Sequence, residues 1–356
     1  MPRSSIIILA HGEAEMTEFC INSLLYTVPA DTEIILFDNG SSGSDARHIK
    51  QLARQAGIKL VRSDRNLGFA AGCNTAATEA QGEDLVFLNN DIEARQGWLE
   101  PLLTVLEDDN AGISGSLLLY PGGTVQHAGI GLGLWGLPAH LGRDSSPGNL
   151  SLQQDRPVLG VTGACLAVSS KLFRQLGGFD EQYFFSYEDA DLCLRARLLG
   201  LRSIYCRDSV LIHHESATKP EGPAHAARGR AQELFIERWG DVLDRAAGRE
   251  LIKLEAGGIS AVAIFGTGAA GRRMLALLQK LTGIEVICFA DSRSEMEGRE
   301  IEGLAVHHIS RLPDGIDAVL GASICVEQLR LEAKKAGIAE MFKTAVIPDL
   351  RDEDLL

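Results

Sequence analysis

Glu33-Ile34-Ile35-Leu36-Phe37-Asp38-Asn39-Gly40-Ser41-Ser42-Gly43 runs from an apolar stretch straight into a dense turn signal. The apolar part is too short for a buried helix and begins with two β-branched residues, so it reads as a strand covered on both faces, as in a parallel sheet. Asp, Asn, Gly and Ser directly after it end the strand and turn the chain. Upstream, Ile6-Ile7-Ile8-Leu9 repeats the pattern, with a helix read over 15–25 between the two runs. Downstream, a helix around 44–56 leads to Lys59-Leu60-Val61, and a helix around 69–80 leads to Leu85-Val86-Phe87-Leu88. Strands alternating with helices predict a wound α/β sheet. Ligands of such sheets bind beyond the carboxyl ends of the strands. The first candidate site residues are therefore Ala10-His11, Asp38-Asn39 and Asn89-Asn90-Asp91.

Further along, residues 121–150 are dense in Gly, Pro, Ser and Asn around Leu132, Leu134, Trp135 and Leu137. This stretch reads as a long surface loop of the kind that acts as a lid or binds an acceptor. Order resumes with a strand at 164–168, a turn at Gly177-Gly178-Phe179-Asp180, a helix from about 187, a strand at 203–206 and a closing helix at 224–239. Past Gly257-Gly258 the pattern restarts with Ala261-Val262-Ala263-Ile264-Phe265, a glycine turn, a helix and a strand ending at Ala290-Asp291. A chain of 356 residues exceeds the size at which one core keeps growing. Three segments are expected: a domain over 1–250, a linker over 251–257 and a smaller α/β domain over 258–356.

The formal net charge of -14 opposes a nucleic-acid partner, which normally requires clustered Lys and Arg. A phosphate-bearing substrate would have to be met by a local device: a metal, a helix N-terminus or a single Arg. Cys20, Cys73, Cys165, Cys193, Cys206, Cys288 and Cys325 are scattered and odd in number, the pattern of reduced thiols in a cytosolic protein. The N-terminus lacks a signal-peptide apolar core, and no apolar run reaches the ~18 residues needed to span a bilayer. A cytoplasmic protein is expected, meeting any membrane-bound acceptor peripherally at the inner membrane surface.

Four segments carry chemistry. Asp38-Asn39-Gly40-Ser41 is either a plain Asx turn or a carboxylate placed for a nucleobase or ribose. In Arg65-Asn66-Leu67-Gly68-Phe69-Ala70-Ala71-Gly72-Cys73-Asn74 the glycines permit close approach of a ligand or of packed elements, and Asn66 and Asn74 offer donors and acceptors. Leu88-Asn89-Asn90-Asp91 delivers a carboxamide and a carboxylate two residues apart, oxygen ligands suited to Mg or Mn on a diphosphate. The fourth segment runs from Gly177-Gly178-Phe179-Asp180-Glu181 to Ser186-Tyr187-Glu188-Asp189-Ala190-Asp191. Ser186-x-x-Asp189 fits a capping box, but Glu188, Asp189 and Asp191 together exceed what a cap requires. One of them is well placed to act as a general base.

These segments resemble the inverting family 2 glycosyltransferases with the GT-A fold, in particular the bacterial rhamnosyltransferase-like branch. The resemblance runs from Ile6 to about Trp239 and includes Thr162-Gly163-Ala164. It implies a nucleotide-sugar donor, a divalent metal (Mn or Mg) and a glycan, lipid-linked or other hydroxyl acceptor. Asp38 would contact the nucleoside, with Ala10, His11, Asn39, Arg65, Asn66, Gly68, Asn74 and Asn90 around the donor. Asp91 would bind the metal with Asn89 beside it, and His213 would complete the site in preference to His214. Asp189 would deprotonate the acceptor, with Glu188 and Asp191 as further catalytic candidates and Thr162, Gly163 and Trp135 on the acceptor side. Two features depart from the family pattern. Asn89 replaces the first acid of the DxD motif, and Ala10-His11 stands where many relatives carry Thr-Tyr.

Gly266-x-Gly268-x-x-Gly271 follows a predicted strand and opens a helix, with Asp291 ending the next strand. This matches the dinucleotide-binding fingerprint, and the segment is similar to the small Rossmann-like domains found beside sugar-modifying enzymes. Binding of a nucleotide and a scaffold role both remain open, as does a homo-oligomer. The rival readings are an NAD(P)-dependent sugar oxidoreductase centred on these glycines and a non-catalytic nucleotide-sugar-binding protein.

Overall fold

The computed structural model describes residues 2–215, 223–323, 326–343 and 346–355, so Cys325 lies outside the described residues. Two compact units emerge: Met1–Ile130 with Ser146–Arg238, and Gly131–Ser145 with Trp239–Leu356. No helix among the described residues is long and apolar enough to cross a membrane. Six cysteines are free and buried.

The alternation read from the sequence holds through β1 (Ser4–Ala10), α1 (Ala14–Leu25), β2 (Thr32–Asn39), α2 (Gly43–Ala56), β3 (Lys59–Ser63), α3 (Phe69–Ala77) and β4 (Asp84–Asn89). Then come β5 (Ile92–Glu93), α4 (Leu99–Val105), β6 (Ala111–Leu119), β7 (Val125–His127), β8 (Ile130–Gly133) and β9 (Pro138–His140). After these follow β10 (Arg156–Val158), β11 (Cys165–Ser169), α5 (Ser170–Gln175), α6 (Glu188–Leu198) and β12 (Arg202–His213).

The first unit's main sheet has the order β10-β12-β6-β11-β4-β1-β2-β3, with β5 on β12 and β7 on β6. Strands β3, β2, β1 and β4 are all parallel. Ile6, Ile7 and Ile8 are fully buried, and so are Ile35, Leu36 and Phe37. Consecutive strand residues face opposite sides, so both faces of the sheet are covered, which is why these strands read as continuous apolar runs. Winding reverses between β1 and β4, and a crevice opens beyond their carboxyl ends. Strand β11 then runs antiparallel between β4 and β6, and β12 runs parallel to β6.

Helix α7 (Pro223–Ala256) begins in the first unit and continues past Arg238 into the second, where β13 (Ala261–Phe265), α8 (Ala269–Leu281), β14 (Glu285–Asp291), β15 (Glu300–Ile301) and β16 (Leu304–His308) follow. The unit ends with β17 (Ala318–Gly321), α9 (Val326–Lys335), β18 (Phe342–Lys343) and β19 (Val346–Ile347). Strands β16-β14-β13-β17-β18 are parallel neighbours. Counted along the chain this is the order 3-2-1-4-5 of a doubly wound sheet. A Cβ on Gly271 would collide with the carbonyl oxygen of Gly266, so that glycine lets α8 start against its own loop.

Three expectations change. Residues 121–150 do not form a surface loop: β7, β8 and β9 lie there, and Leu132, Leu134, Trp135 and Leu137 are buried. Gly and Pro density masked short strands, and β8 is paired by β19 from more than two hundred residues away, which no local pattern can announce. The helix expected at 224–239 continues to Ala256, because Leu243, Ala246, Ala247 and Leu251 extend the buried stripe begun by Phe235 and Trp239. It therefore runs through most of the expected 251–257 linker, and the units divide at Arg238 instead.

Gly40 shows how tightly the crevice wall is built. It has φ +79°, and a Cβ there would lie 2.6 Å from Asn66 N and 2.8 Å from Arg65 Cα. Both the left-handed backbone and the backbone clash oppose a side chain. Gly40→Ala should destabilise the protein by about 1–3 kcal/mol in chemical denaturation; an unchanged midpoint would contradict this close approach.

Candidate active site

Strand β4 ends at Asn89, and the chain turns through Asn90 and Asp91 into β5, where Ile92 pairs with His213 at the end of β12. His214 N–H donates to the Asp91 carbonyl at 3.0 Å, clamping the two segments together. The His213 ring thus stands with Nε2 3.0 Å from Asp91 Oδ1. Asn89 Nδ2 lies 3.4 Å from the same nitrogen. On the other side of the ring, Nδ1 lies 2.8 Å from Gln126 Oε1. His214 turns elsewhere, 3.5 Å from Glu93 and edge-on to Phe19, so His213 is the histidine that faces Asp91. Asn90, expected near the donor, instead ties this turn to α1 by donating to Thr17 Oγ1 at 2.9 Å.

These residues fit a divalent metal. A carboxylate oxygen suits Mn or Mg, and an imidazole nitrogen beside it favours a transition ion such as Mn over Mg; two adjacent ligands of an octahedral ion with bonds of about 2.1 Å lie roughly 3 Å apart. Among the described residues there is no group of three His, Cys, Asp or Glu side chains able to hold a metal. Among the described residues the site therefore offers two strong donors, Asp91 and His213.

The second cluster lies at the start of α6. Ser186 and Tyr187 have φ of 74° and 72°, left-handed conformations that cost about 1–3 kcal/mol each in non-glycine residues. The helix therefore starts at Glu188 without a side-chain cap, and the expected capping box at Ser186 does not form. Tyr187 is held by its ring against Phe235, with centroids 4.9 Å apart. Asp189 Oδ2 accepts Gly163 N–H at 2.9 Å, and Oδ1 accepts Ala190 N–H at 2.7 Å. Burial raises the Asp189 pKa, and these bonds offset that only in part. Glu188 is 6% exposed, and its buried Oε2 has no hydrogen-bond partner. Burial first, then the neighbouring Asp189, hold its carboxyl well above the usual range.

Asp191, a catalytic candidate in the sequence, is instead tied up within the fold. It is fully buried and accepts Arg195 Nε at 2.7 Å and Arg238 Nη1 at 2.8 Å. Arg238 also pairs with Asp180 at 2.8 Å, and Arg195 donates to the carbonyls of Leu176 and Gly178. With its charge spent on two guanidiniums, Asp191 locks α6 in place. Breaking such a buried pair from one side typically costs ~3–5 kcal/mol.

Two short segments join the clusters. Ala164 accepts Asn89 N–H at 3.1 Å while Gly163 holds Asp189. Thr162 N–H reaches His127 Nε2 at 3.3 Å, next to Gln126 on β7. Sequence reading missed Gln126 and His127 because they lie inside the stretch taken for a loop. A three-residue strand is too short to show a period.

At the donor end several expected contacts prove to be internal. Asp38 is buried, accepts Ser41 N–H at 2.9 Å and forms an ion pair with Arg62. Asn39 donates to Asn66 Oδ1 and to the Gly68 carbonyl, each at 3.0 Å. Asn74 grips the Phe179 backbone on both sides, at 2.8 and 2.9 Å. These carboxamides shape the crevice from within, while Ala10 is buried beneath it. Gly68 has φ +84° and its Cα faces the Phe184 carbonyl. The exposed side chains here are His11, bound through Nδ1 to the Asn39 carbonyl at 2.9 Å, Arg65 and Asn66. Trp135, expected beside the acceptor, belongs to the second unit and is 1% exposed, so it offers no face to a substrate.

In the second unit Gly266 has φ +121°, and a Cβ at Gly268 would enter open space. Asp291 accepts Thr267 Oγ1 at 2.7 Å and Arg293 Nη2 at 2.8 Å. Despite burial, the Arg293 and Thr267 hydrogen bonds bring its pKa down to about 2.

Residues 5–173 match the family model described as glycosyl transferase family 2. Over 225 residues the chain is 33% identical to the O-antigen biosynthesis protein RfbC of Myxococcus xanthus, covering 61% of this chain but only 18% of that protein. It is 27% identical over 256 residues to the N-acetylglucosaminyl-diphospho-decaprenol L-rhamnosyltransferase of Mycobacterium tuberculosis, covering 65% of this chain and 83% of that enzyme. Among solved structures, GalNAc-T7 with UDP, GalNAc and Mn2+ is similar with a TM-score of 0.55 at 18% identity, over 70% of this chain and 50% of that one. At that identity the likeness speaks for the fold. The segment from residue 5 to residue 173, which supplies most of the first unit's sheet, is thus similar to glycosyl transferase family 2, and its fold is GT-A-like.

Proposed function

We propose that the chain is an inverting glycosyltransferase moving a hexose or deoxyhexose from a nucleoside-diphosphate sugar to an acceptor hydroxyl. One observation carries this: Asp189 and the Asp91–His213 pair are joined through Thr162-Gly163-Ala164 at the carboxyl end of a GT-A sheet. This proximity supports reading Asp189 as the base and the Asp91–His213 pair as the metal site. The names of the bacterial relatives support a polysaccharide or glycoconjugate acceptor, and a lipid-linked one would be met at the inner membrane surface.

In the single displacement proposed, Asp189 takes the proton of the acceptor hydroxyl as that oxygen bonds to the anomeric carbon. The bond from the anomeric carbon to the phosphate oxygen breaks, and the nucleoside diphosphate leaves with the electron pair from the opposite face. A divalent ion held by Asp91 and His213 would offset the charge that develops on that leaving group. Arg65 is the exposed cation of the donor loop and is assigned to the donor in this reading. A nucleotide site at Gly266, Gly268 and Gly271 in the second unit belongs to the same proposal.

Three outcomes test it. Asp189→Asn should leave nucleotide-sugar binding intact and lower transfer by about 10²–10⁴-fold; transfer at the wild-type rate would remove Asp189 as the base. Because the base works deprotonated and its pKa is raised, transfer should rise with pH along an acid limb lying above the ordinary aspartate range. A pH profile of kcat/KM that stays flat down to that range would oppose the assignment. In a thermal-shift screen, a nucleotide-sugar with Mn should stabilise the protein by mass action, and Asp91→Ala should abolish the Mn-dependent part. Stabilisation that survives in Asp91→Ala and is lost in Gly268→Val would assign nucleotide to the second unit.

A further inference from the structure

We infer that Gln126 is a positioning residue that presents His213 Nε2 to the metal, an inference that rests on the metal site proposed above. Gln126 is 5% exposed and lies on β7, held to β6 by the pairs Leu118 with His127 and Leu119 with Val125. Its Oε1 is 2.8 Å from His213 Nδ1. A carboxamide oxygen can only accept, so Nδ1 carries the hydrogen. In the neutral ring, the form that binds metal, the lone pair then lies on Nε2, the nitrogen 3.0 Å from Asp91 Oδ1. A histidine binds metal through its bare nitrogen, and the partner of the other nitrogen fixes both tautomer and ring orientation.

Among the described residues, Gln126 is the side chain that meets Nδ1. The other side-chain neighbour, Asn89, lies 3.4 Å away on the Nε2 side. His213 is itself buried, so water has poor access to replace a lost acceptor. With Asp91 and His213 as the two strong donors among the described residues, the orientation of the His213 ring matters directly to the site.

The test uses the full chain and Mn²⁺ titrated by electron paramagnetic resonance in the presence of UDP, GDP or dTDP. Gln126→Leu, close in size but without an acceptor, should weaken Mn²⁺ binding by about tenfold or more. Gln126→Glu, whose carboxylate accepts the same bond, should stay within a few-fold of wild type. Wild-type affinity in a folded Gln126→Leu overturns the inference alone. Equal weakening in both variants assigns Gln126 to packing and overturns it too. Should Gln126→Leu fail to fold, the Glu variant still decides, because tenfold weakening there contradicts the role. Absence of Mn²⁺ binding by the wild type with every nucleotide overturns the metal site itself, and this inference with it.

Discussion

The antiparallel pairing of Cys165–Ser169 with Asp84–Asn89 is the constraint on which the site depends. A parallel wound sheet alone would end at β4 with a carboxylate facing an open crevice. Strand β11 enters from the opposite direction, so the residues just before it, Thr162-Gly163-Ala164, arrive beside the carboxyl end of β4. From there Ala164 fixes Asn89 and Gly163 N–H fixes Asp189. One backbone segment thus sets the distance between the acid of the turn and the acid of the helix, and backbone hydrogen bonds hold that distance more firmly than side chains could.

The electrostatics follow from this geometry. The protein carries a net charge of -14, yet its acids differ sharply in state because their neighbours differ. Asp191 meets two guanidiniums and serves the fold, Asp189 meets backbone N–H groups at the crevice, and Glu188 is buried with one oxygen unpartnered. Burial without a counter-cation raises an acid's pKa, as for Glu188 and Asp189. The strained backbone at Ser186 and Tyr187 is the cost of turning these acids inward, and it is stabilised by the Tyr187–Phe235 contact and the hold of Arg238 on Asp180 and Asp191.

Much of the fold was legible because its signals are local. Continuous apolar runs at Ile6–Leu9, Ile34–Phe37 and Leu85–Leu88 report strands buried on both faces, and the turn residues after them mark the crevice. That His213 rather than His214 faces Asp91 follows from the pairing of β12 with β5, which the sequence does not display. By contrast Asn39, Asn66 and Asn74 read as ligand groups but bond to the crevice wall. A carboxamide looks the same in sequence whether it faces a substrate or a backbone. The stretch 121–150 was misread because its strands are short and one of them pairs with a strand near the far end of the chain.

The sequence by itself determined the wound α/β architecture, the ends of the strands where chemistry gathers, and the candidates Asp91, Asp189 and His213. Those follow from patterns within a few residues, where backbone geometry and side-chain burial leave a direct trace. Only the tertiary structure decided which acids stand at the crevice, that Asp191 is neutralised by Arg195 and Arg238, and that Gln126 backs His213. These depend on residues brought together from distant parts of the chain, and the sheet's register fixes their distances and bond directions.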